Sequence, residues 1–470
     1  MSPTSKRAPQ RGAILLGTAG GLLAISGALA ASYYVVATRS EARAATLPAT
    51  AQPDRSDRVA PAPAATGDTK ALQALLARPV TLATGGGDAQ LTWTQLGADV
   101  DTDELGRAGA VDTDAALAAL GQHGSLPIRI DRTRAVAALV GLKARYDKAP
   151  VDAYLDLEEH SIHDDAPGKG IDVWSSLSRI ETAAREGATK IDLLSVPVPA
   201  SVTKPDLGID DISQVLGHYS THFAQTDRDR NFNLKLAASK INGTVLKPHQ
   251  DWSFNGQVGE RSEKEGYKIA HVITAGEMVD GLAGGTCQIS TTLFGAAFFA
   301  GLDIPKTTNH SRPSVYTPLG FDATVVWPDT DLVLKNPYDF PVAIHYRVAN
   351  GEAFVEILGQ KRPYDKVTFA REILPDETKP YDTAERLDDD MPETQSMIDQ
   401  PGFNGYTLKR YRRFFEGKKM VREQKWTVTY KPVTEYIRRG TNKDPNAKPL
   451  PEKEIHAPKE PTGDKFEMSQ

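Results

Sequence analysis

One cysteine, Cys287, stands in 470 residues. That excludes any intramolecular disulfide. Envelope proteins often do without disulfides, so the shortage is compatible with export without showing it. A basic surplus is missing too. The net charge is −6, and no basic arm or aromatic–basic platform occurs, which argues against a nucleic-acid partner. No His, Cys, Asp and Glu set has evident zinc-type spacing, so metal-dependent hydrolysis ranks last, and neither a metal nor a cofactor is expected. Hydrophobic residues at 40% and charged residues at 25% are ordinary for globular protein, and the length suits about three domains.

The chain opens with Lys6, Arg7 and Arg11 and no acidic residue over 1–12, a basic cytoplasmic tail. Residues 13–37 are almost wholly apolar or small and end near Tyr33 and Tyr34. About twenty apolar residues span a bilayer, and the basic flank puts the start of the chain inside. The rival reading is a cleaved signal peptide ending at Ala28-Leu29-Ala30; the length of the run favours an uncleaved single-pass anchor at the cytoplasmic membrane. Either way the bulk of the chain is exported. Residues 38–70, rich in Ala, Pro and Thr, read as a tether.

Residues 71–205 read as an α+β domain. Strands flank Gly85-Gly86-Gly87-Asp88, helices lie near 112–121 and 132–146, and 151–157 alternates like a strand. Asp172 caps a helix with Trp174, Leu177, Ile180 and Ala184 on one face, and Gly187 stops it. The run His160–Asp165 is a polar hairpin tip. After a linker at 197–211, a second domain spans 206–360. His218 and His222 fall in a strand-like segment, so their spacing of four makes no ligand pair. A helix covers 231–241. Residues 361–440 are β-rich, with 371–400 an acidic, Pro-bearing loop, and 441–470 read as a disordered tail.

The chemistry gathers at Ala283-Gly284-Gly285-Thr286-Cys287-Gln288-Ile289-Ser290. Leu293, Ala296, Ala297 and Ala300 mark one apolar helix face, and Gly301 ends it. Cys287 therefore lies at a turn feeding a helix N-terminus. Free amide N–H groups and the macrodipole there lower a thiol pKa and can hold an oxyanion. Downstream, Thr308-Asn309-His310-Ser311-Arg312-Pro313 forms a loop. A lone Cys is most often a small buried hydrophobe, but a lone Cys with a separate His is also the minimum for a nucleophile pair.

These residues resemble the VanW family from about Gly217 to Gly359. The likeness includes Asn242-Gly243-Thr244, Trp252-Ser253-Phe254-Asn255, Val258-Gly259-Glu260-Arg261, Gly284-Gly285-Thr286-Cys287-Gln288, His310-Ser311 and Gly320-Phe321-Asp322-Ala323. Ala283 departs from it, standing where the family usually has a third glycine. Residues 126–202 look like the peptidoglycan-binding domain often placed before VanW domains, and 361–440 resemble G5 modules. The resemblance implies a membrane-anchored α+β multidomain chain that acts on peptidoglycan stem peptides. Its chemistry would be a Cys-dependent acyl transfer of the L,D-transpeptidase kind, forming 3–3 cross-links. Cys287 would be nucleophile, His310 acid and base, and Asp322 (or second Asn309) the orienter of the imidazole. Gly284, Gly285, Thr286, Gln288, Ser290, Arg261 and Tyr316 would serve substrate and oxyanion. The alternative is a non-catalytic wall-binding protein linked to glycopeptide resistance, with Cys287, Gln288 and His310 lining a recognition groove.

Overall fold

The computed structural model describes residues 70–107, 125–274, 277–451 and 461–470, without the side chains of 106–107 and 271–280. The expected anchor at 13–37 and the helix near 112–121 lie outside them. Among the described residues no helix is long and apolar enough to cross a membrane.

In the first domain β1 (Pro79–Ala83) and β2 (Asp88–Thr92) form the expected hairpin. Helix α1 (Arg132–Tyr146) is capped by Asp131, whose carboxylate accepts from the N–H groups of Thr133 and Arg134. The 151–157 run forms strand only at β3 (Tyr154–Asp156), which pairs with β4 (Ser161–His163). Helix α2 (Val173–Glu186) starts at Asp172 and stops at Gly187, where φ is 68°. Leu177, Ile180 and Ala184 are buried, but Trp174 is 71% exposed, which corrects its place on the core face. Steps of three residues drift about 60° around a 3.6-residue turn, so the first of a 174-177-180 series leaves the face. Strand β5 (Lys190–Asp192) then pairs in parallel with β1.

The second domain is built on a four-stranded sheet in the order β6-β14-β13-β7. These strands are β6 (Gln214–His222), β7 (Val245–Leu246), β13 (Val342–Ala349) and β14 (Glu352–Gly359), all antiparallel to their neighbours. Helix α3 (Arg228–Ser239) follows β6. Strand β8 (Asp251–Ser253) joins β12 (Val333–Lys335) and β11 (Asp303–Lys306) in a small sheet. A two-stranded ribbon, β9 (Ile269–Thr274) and β10 (Glu277–Leu282), leads into α4 (Thr286–Ala300).

Helix α4 is the centre of the largest core. The single apolar face read from the sequence is corrected: every residue of α4 except Cys287 is buried. A helix that is apolar or small all round belongs inside a protein. Close approach to β6 depends on two glycines. A Cβ on Gly217 would fall 2.2 Å from the backbone nitrogen of Ala300, and one on Gly295 would fall 2.4 Å from the Tyr219 ring.

The third unit contributes a sheet in the order β19-β18-β15-β21, from β15 (Lys366–Ile373), β18 (Tyr406–Glu416), β19 (Lys419–Tyr430) and β21 (Lys465–Ser469). Its Val367, Phe369 and Phe414 share the core of α4. Two readings of this part are corrected. The acidic loop contains β16 (Thr383–Pro392) and β17 (Ser396–Gln400), which pair with opposite edges of β20 (Glu435–Asn442). Arg438 on β20 meets Asp388 and Asp399, so the carboxylates do not repel the strands apart. The tail is not disordered over 461–470: β21 pairs with β15, and its alternating Phe466 and Met468 pack on the main core.

Candidate active site

The turn that delivers Cys287 is held from several sides. Ala283 and Gly285 both have left-handed φ, 62° and 105°. Asn233, fully buried on α3, donates to the carbonyls of Lys268 and Gly284 and accepts from the Lys268 N–H. The Thr286 hydroxyl donates to the Ala283 carbonyl at 2.7 Å. With α4 sealed inside the core, Cys287 at its first turn is half-buried, and its thiol donates to the Val325 carbonyl at 3.4 Å.

His310 comes from the loop after β11, and Asp322 from the next bend. The imidazole Nδ1 lies 2.6 Å from Asp322 Oδ2, and the backbone N–H of His310 donates to the same oxygen at 2.7 Å. Ser314 Oγ lies 3.2 Å from Nδ1. Both residues of the pair are buried, at 7% and 2% exposure. With Nδ1 held by the carboxylate, Nε2 is the nitrogen left to act on Cys287, whose thiol the imidazole influences. Asp322, not Asn309, therefore faces the ring. Asn309 instead donates to the carbonyls of His310 and Thr429.

Burial pushes the Cys287 thiol pKa up, but the hydrogen bond and positive charge of His310, helped by Arg261, bring it below its ordinary value. Burial pushes His310 down, while Tyr316, the Asp322 carboxylate and Cys287 push it up, and it ends well above the usual imidazole value. Burial pushes Asp322 up, and its bonds to His310, the His310 N–H and Tyr430 more than offset this, leaving it below the ordinary carboxylate range. The three shifts agree in direction: each favours the charged form of its group.

Arg261 is close enough to Cys287 to favour the thiolate, and its Nη1 donates to Asn255 Oδ1 at 2.7 Å. Asn255 in turn donates to the carbonyls of Val326, Pro328 and Thr330, so the Trp252–Asn255 motif shapes the turn that follows Val325, whose carbonyl faces the sulfur. Tyr316 is half-buried beside His310 and Cys287, and burial raises its pKa, so it stays a neutral hydroxyl.

Three expected substrate or oxyanion residues are corrected. Gln288 is 1% exposed; its amide donates to Thr221 Oγ1 and the His222 carbonyl and accepts from Arg230, which leaves it a clamp between β6, α3 and α4. Ser290 is fully buried and donates to the Ala323 carbonyl at 2.6 Å. The backbone N–H groups of Thr286 and Gln288 are engaged by the carbonyls of Ala283 and Gly285, so neither is a free oxyanion donor. Gly284 and Gly285 form the turn itself.

Sequence reasoning missed Ser314, Arg230 and above all Tyr430. The phenol of Tyr430, at the end of β19, donates to Asp322 Oδ1 and accepts from the Gly320 N–H at 2.9 Å. Nothing local marks it; it reaches the site from 108 residues further along the chain.

Residues 229–358 match the family described as VanW like protein, and residues 372–442 match the G5 domain family. The chain thus carries a VanW-like domain followed by a G5 domain. An uncharacterized protein of Bacillus subtilis, YoaR, is 39% identical over 145 residues, 31% of this chain and 48% of that protein. The vancomycin B-type resistance protein VanW of Enterococcus faecalis is 28% identical over 137 residues, 28% of this chain and 50% of that protein. The chain spans about half the length of the curated relatives it matches. The solved G5 domain of an IgA1 protease aligns at 19% identity over 17% of this chain and 98% of that chain, with a TM-score of 0.12.

Proposed function

We propose that this protein is a cysteine acyltransferase of the cell envelope that acts on peptidoglycan stem peptides. The observation that carries the reading is the row Cys287–His310–Asp322, with the thiol pKa lowered and the imidazole pKa raised. A structural cysteine needs no such partners. The thiolate would attack an amide carbonyl carbon, opening a tetrahedral oxyanion near Arg261 and Tyr316. Collapse would break the amide bond, with His310 Nε2–H giving its proton to the leaving amine. A thioester on Cys287 remains. A second amine would attack it, lose a proton to His310 and leave as the new amide, restoring the thiolate and the imidazolium. Asp322 would hold the ring with Nε2 toward the sulfur throughout.

The envelope setting rests on the basic and apolar start of the chain, on the VanW-like and G5 pairing, and on a relative named for vancomycin resistance. In that setting stem peptides are the abundant amides, and the first domain together with the G5 domain would hold the enzyme on the wall. Transfer of the donor's third-residue carbonyl, freed from the fourth residue, to the diaminopimelate-type side amine of an acceptor's third residue would give 3–3 cross-links.

Intact-mass measurement of the purified chain with stem tetrapeptide tests this. The expected result is an acyl adduct on Cys287 that Cys287→Ala lacks. No adduct and no 3–3 product with any tetrapeptide donor, with Cys287→Ala still binding wall sacculi, would replace the enzyme with a wall-binding protein.

A further inference from the structure

The hairpin β3–β4 leaves the first domain and lays Leu155, Leu157 and Ile162 against Ala343 and Leu358 of the central sheet. At its tip His160 adopts left-handed backbone, φ 50°, which a residue with a Cβ adopts at a cost. Its Nε2 lies 3.0 Å from Glu356 Oε2 on β14. The same oxygen lies 3.1 Å from Nδ1 of His345, the cross-strand partner of Glu356 on β13. The ligand atoms of His160, His345 and Glu356 all fall within 4.8 Å of one another. His345 and Glu356 are largely shielded, at 5% and 12% side-chain exposure.

His345 lies between two carboxylates. Its other nitrogen, Nε2, faces the Glu158 carboxylate at 3.4 Å. An imidazolium would donate to both, whereas the neutral ring has one N–H and would turn a lone pair toward one of them. A divalent cation would give the neutral ring a partner at each nitrogen. Nδ1 of His345, Nε2 of His160 and the Glu356 carboxylate can all point at the cation, while His345 Nε2–H donates to Glu158. A carboxylate behind a ligating imidazole is the usual way such a ring is oriented. Glu158 is itself steadied by Arg347, at 3.5 Å. Bonds of about 2 Å in a tetrahedral site set ligand atoms roughly 3.3 Å apart, close to the 3.0 and 3.1 Å that separate the Glu356 oxygen from the two imidazole nitrogens.

We propose that His160, His345 and Glu356 bind one zinc ion that fastens the first domain to the VanW-like sheet. Two imidazoles and a carboxylate are a borderline N/O donor set suited to zinc, with a fourth position for water. The site is separate from the cysteine and does not depend on the enzyme reading. The sequence hid it because the hairpin histidine is 185 residues from its nearest ligand in the chain.

Zinc binding to the full chain tests this, measured in a Cys287→Ala background because a thiolate and imidazole could take zinc on their own. One saturable Zn2+ per chain is expected. Affinity should fall by roughly tenfold or more in His160→Ala and in Glu356→Gln, and about tenfold in Glu158→Gln, as for lost ligands and their orienting partners. Cobalt substituted at the site should give the visible bands of a four- or five-coordinate N/O complex that His160→Ala abolishes. His160 sits at a partly exposed hairpin tip, so His160→Ala should fold even if changes at buried His345 do not. Absence of saturable zinc in the Cys287→Ala protein, or zinc held unchanged by a folded His160→Ala variant, overturns the proposal and leaves a cluster of hydrogen-bonded side chains.

Discussion

Tyr430 and Asp322 meet across the boundary between the G5 and VanW-like domains: the phenol donates to one carboxylate oxygen while the other takes Nδ1 of His310. Asp322 thus has both oxygens occupied, one by each domain. Tyr430→Phe removes that donor and the acceptor for the Gly320 N–H. A lost hydrogen bond to a buried carboxylate costs on the order of 1–3 kcal/mol. The expected result is a rate of Cys287 acylation lowered about tenfold or more with little change in fold. His310 should also titrate differently from the parent, followed by its imidazole resonances. An unchanged pH profile with an unchanged rate would show that the G5 contact only supports the loop.

The thiol pKa is lowered and the imidazole pKa raised, so the reactive ion pair exists in a window between them. Alkylation of Cys287 by iodoacetamide should rise as the thiol ionises, at a pH below the value of about 8.5 for an ordinary cysteine. Once His310 is replaced by Ala, its hydrogen bond and charge are gone and burial is opposed by little more than the charge of Arg261. The half-point should then move up, and acylation by peptide should fall by roughly a hundredfold or more. Ultraviolet absorbance of the thiolate across the same pH range reads the shift directly. A half-point that stays in place in His310→Ala would mean that the imidazole does not set the thiol.

How much of this could be read in the chain follows the range of the interactions. The Cys287 turn was legible because its cause is local: small residues, then a helix pattern, then Gly301. The pairing of His310 with Asp322 was also legible, since both sit in one loop region and carry the family likeness. The hairpins at 79–92 and 269–282 announced themselves by Gly, Asp and alternating apolar residues. What failed was long-range. Gln288 and Ser290 look like site residues in sequence, yet α4 turns them inward where only tertiary partners could show it. The strands at 383–400 carry a composition that reads as loop, and they exist because β20 supplies partners from the far side of a long hairpin. Tyr430 and Arg412 carry no local sign of their targets.

Gly285 precedes α4 with φ at 105°, and a Cβ there would lie 3.2 Å from Leu234 Cγ and 3.3 Å from Arg230 Cγ. Gly285→Ala meets both a backbone penalty and a crowded wall. Left-handed backbone costs a residue with a Cβ about 1–2 kcal/mol, and overpacking of this kind about 1–3 kcal/mol. Denaturant unfolding should show a loss of about 2–4 kcal/mol, the sum being softened by the flexible Arg230 stem. Alkylation of Cys287 should change as well, because relaxation of the turn moves the sulfur away from His310. Wild-type stability in Gly285→Ala would mean that the turn can adopt another backbone path.

Arg412 acts at the opposite end of the same helix. It lies fully buried on β18 and donates to the carbonyls of Ala297 and Phe298 in the last turn of α4 and of Leu302 just beyond it, adding to the Gly301 and Leu302 N–H groups that cap this end. Burial pushes its guanidinium pKa down to about 9, so it remains charged at neutral pH and also meets the negative end of the helix dipole. Arg412→Met keeps much of the volume but takes the guanidinium away from the Leu302 carbonyl, while the carbonyls of Ala297 and Phe298 keep the N–H groups of Leu302 and Gly301. An unsatisfied group costs about 1–3 kcal/mol, and relief from burying a charge returns part of that. A net loss of about 1–2 kcal/mol in denaturant unfolding is expected. Cys287 lies a whole helix away, roughly 20 Å at 1.5 Å per residue. Alkylation of the folded variant should therefore follow the parent pH profile. Arg412→Met and Tyr430→Phe thus have opposite signatures, one in stability and one in chemistry. If Arg412→Met instead shifted the thiol titration while leaving stability alone, the division of labour between these two G5 residues would be wrong.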